Sequence, residues 1–582
     1  MTQKTEVLIT NRRRRAVAAL CTLVIYVGSS FLLFNDVWRA PGKTWIGDAG
    51  DPKLQMWFLG WTPASLVRWQ NPLFTDYIQY PTGVNMMWNV STPLPAVLVW
   101  PVSQALGLII AYNLLITLAP ALSGWCMYLA AARYTWHFLP AFGAGLLYGF
   151  SPFMMAQSIG HIHMALAVFP PLLLLLCDEI FVRQRWPPWL AGLLLGVAGA
   201  GQLLTSEEVL ASTAVAALMG VGVAVIVFRR QVLRQPRYSF VAILVAAVSS
   251  LALAAYPLAF QFLGPLRVGG SLQPPDIYAS DLLTFVVPSS IMHFAPAAGV
   301  EVTGRFSAST EELSGYLGLP LILLLIATLL AYRRSRLVLW AAGFTLLIGV
   351  LSLGPVWHLA GHPFRHTPPW SWLWHLPVIE NILPARLAPF IYIGAGLLLA
   401  TGFDQALRSG HRSRVIVATA AVTVALAALF PSLPRPSTPD SIPTFFQPGG
   451  QASRIPVGSV VLITPFSNAA SSTAMFWQAR NGYRFKLAEG EGYVPGPSLD
   501  PPPSRLQHIL VGLDHSQDVV TDEGQSQALS ELRQWHVRTV IIGPSPGDVK
   551  IRAFFTELLG QPPDESGGVA VWWHPLAVKS PP

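Results

Sequence analysis

The sequence predicts a polytopic α-helical membrane protein with about eleven transmembrane helices and a small extracytoplasmic α/β domain at its C-terminal end. Three observations predict this fold class. Hydrophobic residues make up 52% of the 582 residues and charged residues only 11%, whereas a soluble domain carries about 25% charged residues. Many apolar residues form runs of about 20, the length that crosses a hydrocarbon core about 30 Å thick. From about residue 432 onward the composition becomes that of a soluble domain.

The same composition excludes several classes of protein. So few charged residues cannot cover a water-soluble globule of this length, which excludes a cytosolic enzyme, and the apolar content excludes a disordered chain. The formal net charge of +8 is spread in short basic groups between apolar runs, not clustered on a soluble face as in a nucleic-acid-binding protein. Cys21, Cys126 and Cys177 all lie in apolar runs and form no disulfide framework.

The predicted spans are apolar segments between basic or polar loops. They are 16–34, 112–132, 138–156, 162–181, 188–204, 207–228, 240–262, 313–332, 337–354, 385–407 and 414–431. The apolar stretch 93–110 contains Pro93, Pro95 and Pro101, and we expect it to lie in the membrane interface or to re-enter the membrane. With that placement every basic group falls on one side, which predicts a cytoplasmic N-terminus and an extracytoplasmic C-terminal domain in the cell membrane.

The predicted topology places the long loops together on the outer face. These are the loop 35–111, with interfacial helices, and the loops 263–312 and 355–384. The chain divides into a transmembrane domain, 1–431, and an α/β domain, 432–582, that begins with a proline-rich linker. In the second domain Val457–Ile463, Val537–Ile542 and Val569–Trp573 have the apolar pattern of buried strands, and helical spacing lies between them.

The first outer loop carries two carboxylates three residues apart, Asp48 and Asp51, in a Gly- and Pro-rich turn. A carboxylate just above the membrane can act as a general base on an acceptor hydroxyl, although Asp and Gly are also ordinary turn residues. The following segment contains Trp57, Trp61 and Trp69. We expect these tryptophans to anchor a helix in the headgroup plane, with a sugar-stacking surface as the alternative.

Other polar residues lie at the outer ends of predicted spans. His161 and His163 form a His-x-His pair that is suited to a phosphate or a metal, or that merely fills a short loop. Glu207 and Glu208 open a span, where they either cap the helix or belong to a functional site. Arg386 begins a span from the outer side, against the positive-inside tendency. It is placed either to clamp a lipid phosphate or to reach the headgroups.

The sequence resembles the GT-C class of polytopic glycosyltransferases over about residues 1–430. Five segments carry the resemblance: Asp48/Asp51 after the first span, Thr92–Pro95 through Ala105–Gly107, Ala131–Arg133, Glu311–Gly318 and Glu380–Arg386. The class includes protein O-mannosyltransferases, aminoarabinose transferases and actinobacterial arabinosyl and mannosyl transferases. Many members carry adjacent Asp and Glu in the first outer loop, whereas this chain has Asp-x-x-Asp.

The resemblance implies an inverting transfer of sugar from a polyprenyl-phosphate donor to a glycan, lipid or protein acceptor of the cell envelope. It implies Asp51 as general base with Asp48 as its partner, although either Asp fits the base role. It also implies that Arg386 holds the phosphate, with Arg305, His161 and His163 as further candidates and Glu207 and Glu208 nearby. A divalent cation is compatible with this chemistry, but the sequence does not require one. Membrane lipids are expected partners and nucleic acids are not.

Two other functions are compatible with the same sequence. A transporter or flippase of a lipid-linked precursor would carry charged residues in mid-membrane positions and weak symmetry between halves, whereas charges here lie mostly at span ends. A non-catalytic envelope assembly protein would tolerate the simultaneous loss of Asp48 and Asp51.

A reporter fused after residue 135 tests the predicted topology. Because 93–110 is expected not to cross the membrane, residue 135 should be cytoplasmic, so a periplasm-dependent phosphatase reporter should be inactive there and a fluorescent reporter active. The opposite pattern would show that 93–110 spans the membrane and would place the next three basic groups, from Arg133 to Arg237, outside.

Overall fold

A computed structural model describes residues 2–363, 369–374, 376, 378–467, 471–495, 504–515 and 520–576, with backbone alone for 2–12 and 369. The α-helices are α1 (Thr2–Leu33), α2 (Asn35–Trp38), α3 (Asp51–Val67), α4 (Pro93–Leu106), α5 (Leu108–Ala131), α6 (Phe138–Gly149), α7 (Pro152–Gln157), α8 (Ile162–Ala165), α9 (Phe169–Asp178), α10 (Pro188–Leu203), α11 (Glu207–Val227), α12 (Arg229–Val232), α13 (Pro236–Leu263), α14 (Ala297–Thr303), α15 (Gly318–Ala331), α16 (Arg336–Ser352), α17 (Ala388–Arg408), α18 (Arg412–Ala427), α19 (Thr473–Arg480), α20 (Arg505–Asp514), α21 (Asp522–Gln534) and α22 (Asp548–Leu559). The strands are β1 (Thr44–Ile46), β2 (Phe74–Thr75), β3 (Val84–Asn85), β4 (His358–Leu359), β5 (His362–Pro363), β6 (Ser437–Pro439), β7 (Val460–Thr464), β8 (Lys486–Leu487), β9 (Val537–Ile542), β10 (Asp564–Ser566) and β11 (Val569–Trp573).

Within these described ranges, seven helical segments are long and apolar enough to cross a membrane. They are Arg13–Leu33, Leu108–Ala131, Phe138–Gln157, Ile162–Arg183, Glu207–Val227, Pro236–Leu263 and Pro384–Arg408. The other four predicted spans fall on α10, α15, α16 and α18, which have 14 to 17 residues. At 1.5 Å per residue such helices reach only about 21–26 Å, short of a core about 30 Å thick. The seven long segments identify a helical membrane protein. Because the four other helices are short, the count of eleven spans stays a prediction.

The chain forms two compact units. The first comprises 1–40, 113–255 and 270–436, and the second comprises 41–112, 256–269 and 437–582. The second unit joins the first outer loop to the C-terminal segment, a grouping that chain order alone does not suggest. The division at residue 431 predicted from the sequence is a different partition, and it stays a prediction.

Glycine allows close packing of helices in the first unit. Gly145 and Gly149, one turn apart on α6, face Gly124 on α5. A Cβ on Gly149 would lie 2.3 Å from the Pro120 carbonyl oxygen and 2.7 Å from the Gly124 Cα. Small residues at a four-residue spacing let transmembrane helices approach each other without a side chain between them. The contact of α5 with α6 therefore depends on these glycines.

The second unit contains a five-stranded sheet in the order β10-β11-β9-β7-β8. Strand β7 lies in parallel between β9 and β8, while β11 and β10 continue the sheet in antiparallel pairs. The apolar strand β7 is buried along its whole length, and α20, α21 and α22 supply much of the core around it, including Leu510, Leu532 and Phe555. Strands β7, β9 and β11 lie on or close to the three apolar segments that the sequence predicts as strands.

The first outer loop folds into the second unit. Strand β1 pairs with β6 in an antiparallel register, and α3 packs against α19. Gln478 on α19 links the two segments: its Oε1 accepts a 2.7 Å bond from the Trp57 indole, and its Nε2 donates to the Tyr77 carbonyl at 2.7 Å. The interfacial anchor predicted for Trp57 and Trp61 is therefore wrong, because both rings are buried in protein and stack with each other.

Substitution at Gly149 tests the glycine contact. Gly149→Ala places a methyl group against the backbone of α5, and overpacking of this kind costs about 1–3 kcal/mol. We expect a lower unfolding temperature in detergent. Gly222→Ala, in α11, is the matched control because no atom lies within 4 Å of its added Cβ. Equal unfolding temperatures for the two variants would contradict the packing.

Candidate functional site

The Asp48–Asp51 loop lies in the second unit, and hydrogen bonds to its backbone groups hold it in shape. The Trp45 indole donates to the Asp48 carbonyl at 2.7 Å, and the Gly50 N–H donates to Asp48 Oδ1 at 2.9 Å. Asp48 is exposed, whereas Asp51 is half-buried as the first residue of α3. A helix N-terminus favours a carboxylate, so the position of Asp51 is also explained by the helix it begins.

A lysine next to this loop was missed in the sequence. Lys53 Nζ donates to Thr473 Oγ1 at 3.0 Å. Burial lowers the pKa of Lys53, and the carboxylates of Asp48 and Asp440 partly offset that shift. Its position two residues after Asp51 was the available signal, but the lysine's surroundings come from the distant segments at 440 and 473, which sequence spacing does not reveal.

The first unit contains a buried ionic cluster centred on Arg386. The Arg386 guanidinium donates from Nε to Glu312 Oε1 at 2.7 Å, and one terminal nitrogen lies 2.5 Å from Glu208 Oε2. Its other terminal nitrogen lies 2.6 Å from Glu312 Oε1. The side chain of Arg386 is 13% exposed and that of Glu312 is 1% exposed. One cation thus contacts two carboxylates. When both carboxylates are ionised, the cluster carries a net charge of about −1.

The elements that supply this cluster are far apart in sequence. Glu208 lies in the first turn of α11, which Ser206 caps by accepting a bond from the Val209 N–H. Glu312 ends the 3₁₀ turn Thr310–Glu312, and Arg386 lies in the 3₁₀ turn Pro384–Leu387. The Leu383 N–H also reaches Glu208 at 3.5 Å. The cluster therefore joins three segments at the ends of α11, α15 and α17.

The two histidines lie on the same network. His161 Nδ1 is 2.7 Å from Gln157 Oε1, and Gln157 Nε2 donates to the Glu311 carbonyl at 2.9 Å. The His161 and His163 rings are 5.6 Å apart, and His163 lies within electrostatic range of Arg386. His163 is 5% exposed, and its Nδ1 has no hydrogen-bond partner among the described residues. The network thus contains a buried polar atom that a ligand or water can satisfy.

The structure brings together some of the predicted residues and separates others. Arg386 contacts Glu208, and His161 lies beside His163. Glu207 is half-buried in the first turn of α11. Arg305 follows α14, and its ion pair is an exposed one with Glu301 rather than with Glu208 or Glu312. Asp48 and Asp51 belong to the other unit. Glu312 and Gln157 were missed, although the Glu311–Gly318 segment pointed to the first of them.

A metal site is not formed by the residues that the structure describes. No three His, Cys, Asp or Glu side chains in the described ranges come close enough to hold a metal ion. The compatibility with a divalent cation noted from the sequence stays a prediction.

Arg386→Gln tests whether the cluster holds the membrane unit together. The substitution leaves two carboxylates without their cation, and breaking a buried pair in this way costs about 3–5 kcal/mol. We expect a large loss of stability in detergent unfolding. Arg305→Gln breaks an exposed pair and should cost about 0–1 kcal/mol. Similar losses in the two variants would show that the cluster contributes no more than a surface pair.

Comparison with solved structures gives the fold. The arabinofuranosyltransferase AftD from Mycobacteria superposes with a TM-score of 0.54 at 17% identity, covering 97% of this chain and 40% of that one. This chain therefore spans about two fifths of the arabinofuranosyltransferase's length. The Archaeoglobus fulgidus oligosaccharyltransferase AglB, in complex with an inhibitory peptide and a dolichol-phosphate, gives 0.44 at 14% identity, with 92% and 71% coverage. ArnT from Cupriavidus metallidurans, bound to undecaprenyl phosphate, gives 0.43 at 10% identity, with 96% and 99% coverage.

Sequence comparison gives the family. No curated protein matches the chain. The model of a family described as a domain of unknown function, DUF6311, matches residues 16–379, which is more than half of the chain. The chain therefore belongs to the DUF6311 family, and its fold is that of the GT-C membrane proteins that its sequence resembles.

Proposed function

We propose that the protein is a membrane glycosyltransferase that moves a sugar from a polyprenyl-phosphate donor to an acceptor at the outer face of the cell membrane. The observation that carries the proposal is the buried cluster of Arg386, Glu208 and Glu312 in a membrane protein of this fold. Ionisable side chains in membrane segments are costly and mark functional sites by default. The similarity in fold to the arabinofuranosyltransferase supports sugar transfer over transport or a non-catalytic role.

The proposed chemistry needs one base and a stabilised leaving group. Asp51 takes the proton of an acceptor hydroxyl, with Asp48 as its partner in the same loop. The acceptor oxygen then forms a bond to the anomeric carbon while the bond from that carbon to the phosphate oxygen breaks. The configuration at the anomeric carbon is inverted, and the lipid phosphate leaves with the electron pair of the broken bond. With a lipid-linked donor, the enzyme does not need a nucleotide sugar to be carried across the membrane to the outer face.

The phosphate role proposed for Arg386 has a physical condition. Its guanidinium already contacts two carboxylates, so a phosphate must replace one of them, join an incompletely ionised pair or use the remaining N–H groups. Glu208 and Glu312 then set the charge of the site as well as the position of Arg386. His161 and His163 remain proposed phosphate ligands on the same network, and Arg305 remains a proposed ligand from its exposed loop.

Asp51→Asn tests the proposed base. Purified protein in liposomes is supplied with radiolabelled polyprenyl-phosphate arabinose or mannose and a membrane acceptor fraction. We expect Asp51→Asn to lower transfer by about 10²–10⁴, because a positioned general base contributes that much. Asp36→Asn, which removes an exposed carboxylate paired with Arg39, is the control and should keep full activity.

The outcomes separate the function from the residue assignment. Full activity in Asp51→Asn would move the base to another residue. Absence of transfer by the unmodified protein with every donor tested, together with donor movement between leaflets, would replace the transferase by a lipid transporter.

A further inference from the structure

Arg435 is a buried cation that no described carboxylate neutralises. The residue is 6% exposed, and one terminal nitrogen donates to the Met155 carbonyl and, at 3.4 Å, to Ser158 Oγ. Its Nε is buried without any hydrogen-bond partner in the described part of the chain. Two partly buried arginines of this unit differ in this respect, since Arg133 and Arg386 each lie 2.6 Å from a carboxylate.

Burial of such a charge is expensive. An ion moved from water to a protein interior loses several kcal/mol of hydration, which a carbonyl and a hydroxyl repay only in part. Burial lowers the pKa of Arg435 to about 10, so the side chain keeps its charge at neutral pH. A guanidinium that is charged, desolvated and incompletely bonded is a binding group for an anion.

Backbone hydrogen bonds anchor the segment just before Arg435. The Ser432 N–H donates to the Ile291 carbonyl at 2.7 Å, and the His293 N–H donates to the Phe430 carbonyl at 2.9 Å. These bonds fix the segment 430–432 beside 291–293 without the guanidinium. The segment before Arg435 therefore has anchors of its own besides the guanidinium contacts with Met155 and Ser158.

Arg435 also borders the candidate site. Its partners Met155 and Ser158 flank Gln157, which binds both His161 and the Glu311 carbonyl. One turn of chain, 155–158, thus contacts both the unpaired arginine and His161. Arg386, by contrast, has its charge compensated by Glu208 and Glu312.

We propose that Arg435 binds the phosphate group of a lipid ligand, a role that rests on the proposed function and assigns the headgroup of its donor to this residue. The planar guanidinium fork matches two phosphate oxygens, and the buried Nε–H is one of the donors that a phosphate would satisfy. A free phosphate ion and a lipid phosphate present the same phosphate oxygens to the guanidinium. The binding experiment therefore compares the two ligands.

Binding is measured without turnover, on purified full-length protein in nanodiscs. The ligands are undecaprenyl phosphate, undecaprenol and inorganic phosphate, and the variants are Arg435→Gln and Arg435→Lys. We expect undecaprenyl phosphate to bind and undecaprenol to bind more weakly. We expect Arg435→Gln to weaken phosphate-lipid binding by at least about tenfold, since a charge-assisted hydrogen bond contributes roughly that factor. Arg39→Gln, which removes an exposed arginine paired with Asp36, is the matched control and should bind like the unmodified protein.

A measurement on the unmodified protein keeps the proposal falsifiable if Arg435→Gln does not fold. A photoreactive undecaprenyl phosphate should label peptides that contain 151–163 or 430–436, and excess undecaprenyl phosphate, but not undecaprenol, should prevent the labelling. Labelling confined to other segments would overturn the proposal, as would unchanged affinity in a folded Arg435→Gln protein. Tight binding of inorganic phosphate at the same residue, with no preference for the lipid, would assign the site to a free anion and overturn the lipid headgroup.

The proposal and the proposed function fail differently. If Asp51→Asn loses transfer while Arg435→Gln binds normally, the transferase stands and the headgroup assignment falls. If phosphate-lipid binding depends on Arg435 but no donor supports transfer, the headgroup assignment stands and the transferase falls.

Discussion

The membrane unit depends on the ionic contact between Arg386 and the carboxylates of Glu208 and Glu312. Each of these charges would be unstable alone at the edge of a hydrocarbon layer, because it loses its hydration and gains no compensating partner. Held together, they fix the first turn of α11 and the turns that precede α15 and α17 at one position. The polar network of Gln157 and His161 is joined to the same turns through the Glu311 carbonyl. Loss of Arg386 leaves its two partners buried and uncompensated, which is why the unit depends on this contact.

The second unit depends on a neutral polar hub. The Gln478 amide binds the Trp57 indole and the carbonyls of Tyr77 and Phe485, and the Tyr483 hydroxyl donates to the Trp57 carbonyl at 2.6 Å. These bonds join the first outer loop to the C-terminal segment. The loop that carries Asp51 is therefore part of the folded C-terminal unit, and its geometry responds to substitutions more than 400 residues away in the chain.

The sequence predicted the elements well where one physical rule decides them. Apolar runs of sufficient length gave the long helices, and short apolar runs between polar segments gave β7, β9 and β11. It failed where partners are distant. Tryptophans followed by apolar residues have the composition of an interfacial helix, but Trp57 and Trp61 are buried because Gln478 and Tyr483 pack on them. The short helices α15 and α16 show that apolar composition locates a helix better than it measures its length.

The candidate site was predictable by residue type more than by pairing. Arg386 and Glu208 were both recognised as unusual charges at span ends, but nothing in their spacing shows that they contact each other. Glu312 was visible only as part of a motif, and Arg435 looked like part of a proline-rich linker. Compensation of charge is a property of three-dimensional contacts. For this reason the distinction between a neutralised arginine and an unpaired one could not come from the chain alone.

An experimental structure of the protein in nanodiscs with undecaprenyl phosphate tests the central claim most directly. The account predicts that Arg386 contacts both Glu208 and Glu312 before the lipid is added, and that the phosphate density lies in the first unit against cationic side chains of the network around Gln157. Phosphate density remote from this network, or an Arg386 that contacts neither carboxylate in the lipid-free protein, would contradict it.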